Sequence, residues 1–196
     1  FDGIRFEPHP YATADSVFAV EVKGDSLFYL SPEGLAVCND DVMTMLFDLK
    51  DSPCTQLALF ENELFLIRKD GALLKRNGKS LKPLNDKEIH KGFIVFNDEL
   101  FVLSDQGIAK CDGKGDWMFL PDKDVPYSAI VKDQKLFIAG SNALYLLENN
   151  QFVELPFTRD KHIRTLGLDV RGRLWMATRN SLLYEDESGL VEIGPK

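Results

Sequence analysis

Cysteine, histidine and tryptophan are scarce in this 196-residue chain, at three, three and two copies. The cysteines, Cys38, Cys54 and Cys111, make an odd count with no CxxC spacing and no histidine at ligand distance, which argues against a metal site built on them. No apolar run approaches the ~18 residues of a membrane span, so nothing here inserts into a bilayer as a helix. No GxSxG, HExxH, P-loop or dinucleotide fingerprint occurs, so no cofactor and no catalytic residue is expected. Basic charge is in deficit: 23 Lys and Arg against 31 Asp and Glu give a net charge of −8 and a pI near 4.9. That balance argues against a general nucleic-acid or anionic-membrane binder. The chain opens on Phe1 with no signal-like segment before the first repeat, consistent with removal of a leader or excision from a longer protein.

What the chain has is a core and a beat. Hydrophobic residues make up 44% of it and charged ones 28%, which excludes wholesale disorder. A Leu-aromatic pair recurs as Leu27-Phe28, Leu64-Phe65, Leu100-Phe101, Leu136-Phe137 and Leu174-Trp175, at intervals of 37, 36, 36 and 38 residues. Before each pair comes an apolar run and a short polar turn, such as Glu61-Asn62-Glu63 or Asn97-Asp98-Glu99. After it the strand ends on Ser31, Arg68, Ser104, Gly140 or Thr178, and Gly34, Gly71, Gly107, Asn142 or Ser181 opens a further apolar stretch. Gly and Asn supply the positive φ that tight hairpins need.

Each unit therefore reads as three or four short antiparallel strands, and no segment carries helical periodicity. Repeats of this length predict an all-β fold: a β-propeller of five blades of about 37 residues, each mostly four antiparallel strands. The expected blades are 16–50, 55–85, 92–121, 127–156 and 164–194. Residues 1–15, with Gly3-Ile4-Arg5-Phe6, form a closure segment or the remnant of a further blade. The whole is a single domain, 1–196, within a longer protein, and five blades of a larger ring is the competing reading. Pro83 is tolerable only if the last strand of the second unit is an edge. Cys38 and Cys111 each follow their unit's Leu by eleven residues, in blades that are not neighbours, so free and mostly buried thiols are expected.

The fifth unit, from Leu168 to Tyr184, resembles the two-component regulator propeller repeat. Asp169, Gly172, Leu174, Trp175, Thr178 and Leu182 match its pattern, whereas Ala177 and Ser181 stand where that family has glycine. The resemblance implies a sensor propeller of bacterial hybrid signalling proteins, in the periplasm or outside the cell. Three unpaired cysteines sit more easily in the cytosol, so a cytoplasmic location stays open.

In a propeller, the loops joining second to third strands and blade to blade surround one mouth of the channel. Here they carry ten basic and ten acidic residues together with His90 and His162, so the surplus negative charge falls on the rest of the body. Such a mouth suits a protein partner or a small polar ligand. Arg68 stands out because its equivalents are all small, and its fork fits a carboxylate or phosphate. The competing reading is a salt bridge to Asp70 or Asp105. Arg179, Tyr127, Arg164 and Asp105 complete the candidate ligand site, with His162, beside Lys161, as a candidate switch.

The acidic hairpin tips Asp25, Glu61, Glu63, Asp98, Glu99 and Asp133 read as solvated turns, and the repeated aromatic as packing between blades. Asp40-Asp41 and the pair Asp122 and Asp124 lack the glycine and distant glutamate of a calcium loop and read as surface acids. The function expected is a non-catalytic sensing or interaction module. A glycosidase-like enzyme needs a pair of funnel carboxylates, and Glu21 is the lone acid of the inner strands. A lectin-like array needs repeated exposed aromatics and amides, and the mouth positions differ from blade to blade.

Overall fold

The structure, a computed structural model, describes residues 16–39, 42–85, 89–111, 117–186 and 189–194. The expected closure segment, Asp40-Asp41 and the mouth residues Asp86, Lys87 and Glu88 lie outside these. The chain forms two compact units, Phe1–Asp86 and Lys87–Lys196.

The first unit holds two sheets: β1 (Ala19–Lys23), β2 (Ser26–Ser31), β3 (Gly34–Asn39) and β4 (Val42–Asp48), then β5 (Cys54–Phe60), β6 (Glu63–Arg68), β7 (Leu73–Asn77) and β8 (Ser80–Asn85). The second unit holds three. The third sheet is β9 (His90–Phe96), β10 (Glu99–Ser104), β11 (Ile108–Lys110) and β12 (Trp117–Met118). The fourth is β13 (Pro126–Lys132), β14 (Lys135–Gly140), β15 (Leu144–Glu148) and β16 (Gln151–Glu154). The fifth is β17 (Thr165–Leu168), β18 (Leu174–Ala177), β19 (Leu182–Asp186) and β20 (Gly189–Ile193). Every sheet is an antiparallel meander in chain order. Five such sheets are the blades of a β-propeller, the fold class that the repeat predicts. Pro83 lies on β8, the outermost strand of its sheet, where a missing N–H leaves no central ladder broken.

The turns behave as their residues demand. Glu61-Asn62, Asn97-Asp98 and Asp133-Gln134 each put two successive residues at positive φ, the signature of a type I′ hairpin, and Asn149-Asn150 repeats it after β15. Gly34 (φ 153°) and Gly107 (φ 151°) open the third strands of their blades for a steric reason. A Cβ would lie 2.1 Å from the Phe47 carbonyl oxygen in one case and 2.6 Å from that of Met118 in the other.

Burial follows the beat. Leu64, Leu100, Leu136 and Leu174 are all buried, each worth about 1.5–3 kcal/mol if fully withdrawn from water. In the first unit, Leu30, Leu35, Leu57, Leu64, Leu66 and Leu74 pack the two sheets together. In the second, one cluster around Phe101, Ile108, Leu136, Ile138 and Tyr145 joins the third and fourth blades. Another around Leu144, Ile163, Leu174, Met176 and Leu183 joins the fourth and fifth. The exception is Leu27, 40% exposed, on the same face of the first sheet as exposed Val20 and Val22.

Two acidic tips are not simply solvated. Lys75 Nζ sits 2.6 Å from the Glu63 carboxylate and 5.3 Å from the Phe65 ring centroid. Lys110 repeats this with Glu99 at 2.6 Å and Phe101 at 6.0 Å. The aromatic of the beat thus serves in both blades as a buried wall under a cation paired with the tip acid. Cys54 and Cys111 are buried and Cys38 half-buried, and none of the three forms a disulfide among the described residues.

Candidate functional site

The first strands of the second, third and fourth blades each break register near their start. Cys54 faces Arg68 while Gln56 faces Ile67, His90 faces Ser104 while Gly92 faces Leu103, and Pro126 faces Gly140 while Ser128 faces Ala139. One residue per strand is left without a partner in the ladder, a β-bulge. The bulged residues are Thr55, Lys91 and Tyr127. In the first and fifth blades, Phe18 and Arg164 hold the corresponding place, each donating its backbone N–H to the second strand at Leu30 and Ala177. One repeat position thus carries Phe18, Thr55, Lys91, Tyr127 and Arg164.

In the second unit the three members of this set meet. Arg164 Cζ lies 4.4 Å from the centroid of the Tyr127 ring and Lys91 Nζ lies 5.0 Å from it, so one phenol serves two cations. The Lys91 amine also donates to the Pro126 carbonyl oxygen at 3.3 Å. Partial burial pulls its pKa below the ordinary lysine value, Arg164 adds to this, and Asp105 opposes it. No carboxylate forms a salt bridge with Arg164 or Lys91 among the described residues. Asp105 is engaged with the backbone. Its Oδ1 accepts the Ile89 N–H at 3.2 Å while its own N–H donates to the Ile89 carbonyl, tying the inter-blade linker to the turn after β10.

Beside this trio opens a polar cleft of about 490 Å³ on the fifth blade, lined by Asp160, Lys161, His162, Arg164, Thr178, Arg179, Asn180, Ser181 and Glu192. Lys161 is committed to Glu192 at 2.8 Å. His162, exposed and at φ 50°, is oriented by a 2.7 Å hydrogen bond between Nδ1 and the Ser141 carbonyl. Thr178 shapes the turn, its Oγ1 accepting the N–H groups of Asn180 and Ser181. Arg179 has no side-chain partner among the described residues. The cleft therefore presents the guanidiniums of Arg164 and Arg179, neither in a salt bridge among the described residues, together with the carboxylate of Asp160.

Of the residues expected at the mouth, Tyr127 and Arg164 are in contact, and Arg164, His162 and Arg179 share the cleft. Asp105 bears electrostatically on Lys91. Arg68 belongs to the other unit and takes the competing role: its guanidinium grips Asp70 through Nε at 2.7 Å and through Nη2. That bond, helped by the Ala72 N–H, holds the Asp70 carboxyl below its usual range.

Lys91 was legible only as one of ten mouth bases. The signal that singles it out is its offset: Phe18, Thr55, Lys91 and Tyr127 all stand nine residues before their Leu, and Arg164 ten before Leu174 because that hairpin is longer.

Asp124 corrects its reading as a surface acid. It is 4% exposed, and its carboxylate accepts the N–H groups of Val125, Ser141 and Asn142 at 2.8–2.9 Å, the Tyr145 hydroxyl at 2.8 Å and the Ser141 hydroxyl. Burial alone would raise its pKa, but these donors outweigh it and hold the carboxyl low. A Cβ on Gly140 would fall 2.3 Å from Asp124 Oδ2, so glycine there makes room for the clasp.

Among the described residues no group of three or more His, Cys, Asp or Glu side chains is placed to hold a metal ion. No helix there is long and apolar enough to cross a membrane. Glu21, on β1, has its pKa raised by burial, and no second acid lies on any of the five first strands described.

No family model and no curated protein matches the sequence. Solved structures do match. The extracellular domain of the one-component system BT4673 of B. thetaiotaomicron shares 17% identity at a TM-score of 0.74, over 100% of this chain and 30% of that one. The extracellular domain of the hybrid two-component system BT3049 of the same organism shares 11% at 0.65, over 94% and 28%. An ancestral GH74 enzyme shares 13% at 0.63, over 92% and 33%. The chain thus spans about a third of the length of these structures or less. The first two are extracellular domains of one-component and two-component systems, and at these identities the likeness establishes the β-propeller fold.

Proposed function

We propose that this chain is a non-catalytic sensing module, working outside the cytoplasm as part of a longer signalling protein. Its ligand site is the fifth-blade cleft, where Arg164 and Arg179 receive a small polar ligand. His162 and the Thr178–Ser181 turn line the site, with Tyr127 behind Arg164 and Asp105 near Lys91. One observation carries this reading: among the described residues, two arginines outside any salt bridge line a formed cavity, whereas Arg68, Lys75, Lys110, Arg159 and Lys161 are all paired. Location and signalling context are supported by the extracellular domains of one- and two-component systems that share the fold.

Thermal-shift screening against anionic, neutral and cationic small metabolites tests it. A hit stabilises the wild type by mass action, and the gain disappears in Arg164→Ala/Arg179→Ala while Arg68→Ala keeps it. A hit retained at full size by the double variant refutes the site.

The glycosidase-like alternative draws on the enzyme among the structural neighbours. It requires two carboxylates about 5–9 Å apart across a cleft, and Glu21 has no partner acid on the other first strands. Turnover of aryl glycosides that Glu21→Gln abolishes would establish it against the sensing role.

A further inference from the structure

The Lys91, Tyr127 and Arg164 positions and the fifth-blade cleft are continuous, because Arg164 belongs to both. Two cations close to one phenol repel each other, and Lys91, the half-buried one, is the less screened by water. Asp105 is the acid that bears on Lys91, and its carboxylate already accepts the Ile89 N–H. The cluster is held together by its scaffold: bulges fix Lys91 and Tyr127, and the Arg164 N–H is anchored on Ala177 at 2.7 Å. Such a preorganised pair of positive charges is matched by a ligand bearing two anionic groups on a short spacer.

Resting on the cleft reading above, we infer that the ligand is a small molecule with two anionic groups, carboxylate or phosphate. One group is forked by Arg164 with Arg179 in the cleft, and the other reaches Lys91 past the Tyr127 ring. The cleft is lined by polar and charged residues whose alkyl stems and methyl groups also face it, which suits a short spacer, hydrophilic or alkyl. The size of the cleft lies in the range of small-molecule sites.

Isothermal titration of the full chain at fixed ionic strength tests this with two matched pairs: acetate against glutarate, and methylphosphonate against propylene bisphosphonate. At least one two-group probe should bind roughly 10-fold or more tightly than its single-group partner, the gain expected of one added charge-assisted bond. Whichever pair shows the larger gain identifies the carboxylate or the phosphate class. Lys91→Met should erase the two-group advantage and leave single-group binding unchanged; Lys91→Gln repeats the test should the methionine variant fold poorly.

Equal affinity for both members of each pair overturns the inference, as does an advantage that survives in both Lys91 variants. In either of those cases, loss of single-group binding in Arg164→Met/Arg179→Met leaves the cleft standing. Binding of all probes to that double variant as to wild type overturns the cleft and the inference together.

Discussion

Asp169 Oδ2 accepts the indole N–H of Trp175 at 3.1 Å, across the first hairpin of the fifth blade. The same carboxylate takes the N–H groups of Arg171 and Arg173 at 2.8 and 3.0 Å and the Arg173 Nε at 2.7 Å. Trp175 in turn stacks on Tyr184 with centroids 4.8 Å apart, and the Arg173 guanidinium lies over both rings. The Asp and the Trp of the recognisable repeat are therefore a turn clasp. Thr178 plays the same part in the next hairpin. The Asp and the Trp that reveal the fold serve the fold, whereas the Thr178–Ser181 turn of the same repeat also lines the candidate cleft.

The Asp169 carboxyl is held far below its usual range, first by the Trp175 N–H and then by Arg173 and Arg171, against an opposing burial effect. A depressed folded pKa gives stability that is complete above the unfolded value of about 3.9 and is lost as pH falls through the folded one. Asp169→Asn should lower the melting temperature by a few degrees at neutral pH. Its deficit should stay constant down to about pH 5 and shrink below pH 4. Melting curves followed by tryptophan fluorescence check this, and a deficit that grows on acidification would contradict it.

Removing the Asp124 carboxylate strands five donors beneath the turn of the fourth blade. Asp124→Ala should destabilise by about 1–3 kcal/mol in urea unfolding. Gly140→Ala should do similar harm, since its methyl group would lie 2.3 Å from Asp124 Oδ2 and 2.7 Å from the Tyr145 ring. Because both changes attack one clasp, the double variant should cost less than their sum.

Gly34→Ala and Gly107→Ala drive a methyl group into a main-chain carbonyl and force a side chain into a φ that only glycine tolerates. Each should cost more than about 1 kcal/mol. Gly78→Ala meets no atom within 4 Å, though at φ 62°, and should cost less than either. Denaturant midpoints of the three variants give the ranking directly.

Burial pushes the Cys54 thiol up to about 11. Between the unfolded thiol value of about 8.5 and that figure, the unfolded chain gives up its proton first, so this residue makes stability fall as pH rises. Cys54→Ala should flatten the alkaline limb of the stability curve. In native protein at pH 8, Ellman's reagent should label Cys38 ahead of Cys54 and Cys111, which react only on denaturation.

Much of the architecture was legible because its causes are local. Leu-aromatic pairs mark second strands, and Asn62, Asn97 and Gly34 sit where the backbone needs positive φ. Pro83 marked an edge strand for the same kind of reason. Leu27 escaped the pattern, since its burial depends on what packs against the first sheet and not on its place in the repeat. Asp124 looked like any loop acid, for nothing in its neighbourhood in sequence announces donors 17 and 18 residues further on. Lys91 was hidden among mouth bases: its offset from Leu100 stands in the sequence, but that this offset marks a one-residue slip in the ladder belongs to the pairing of two strands.

That slip has an evolutionary corollary. A residue excluded from the ladder contributes little to register, so it can be exchanged without disturbing the strands on either side. Phe18, Thr55, Lys91, Tyr127 and Arg164 already sample an aromatic, a hydroxyl, two cations and a phenol at one position. Here chemistry can diverge between blades, or be redesigned, while the folding code of the repeat stays as it is.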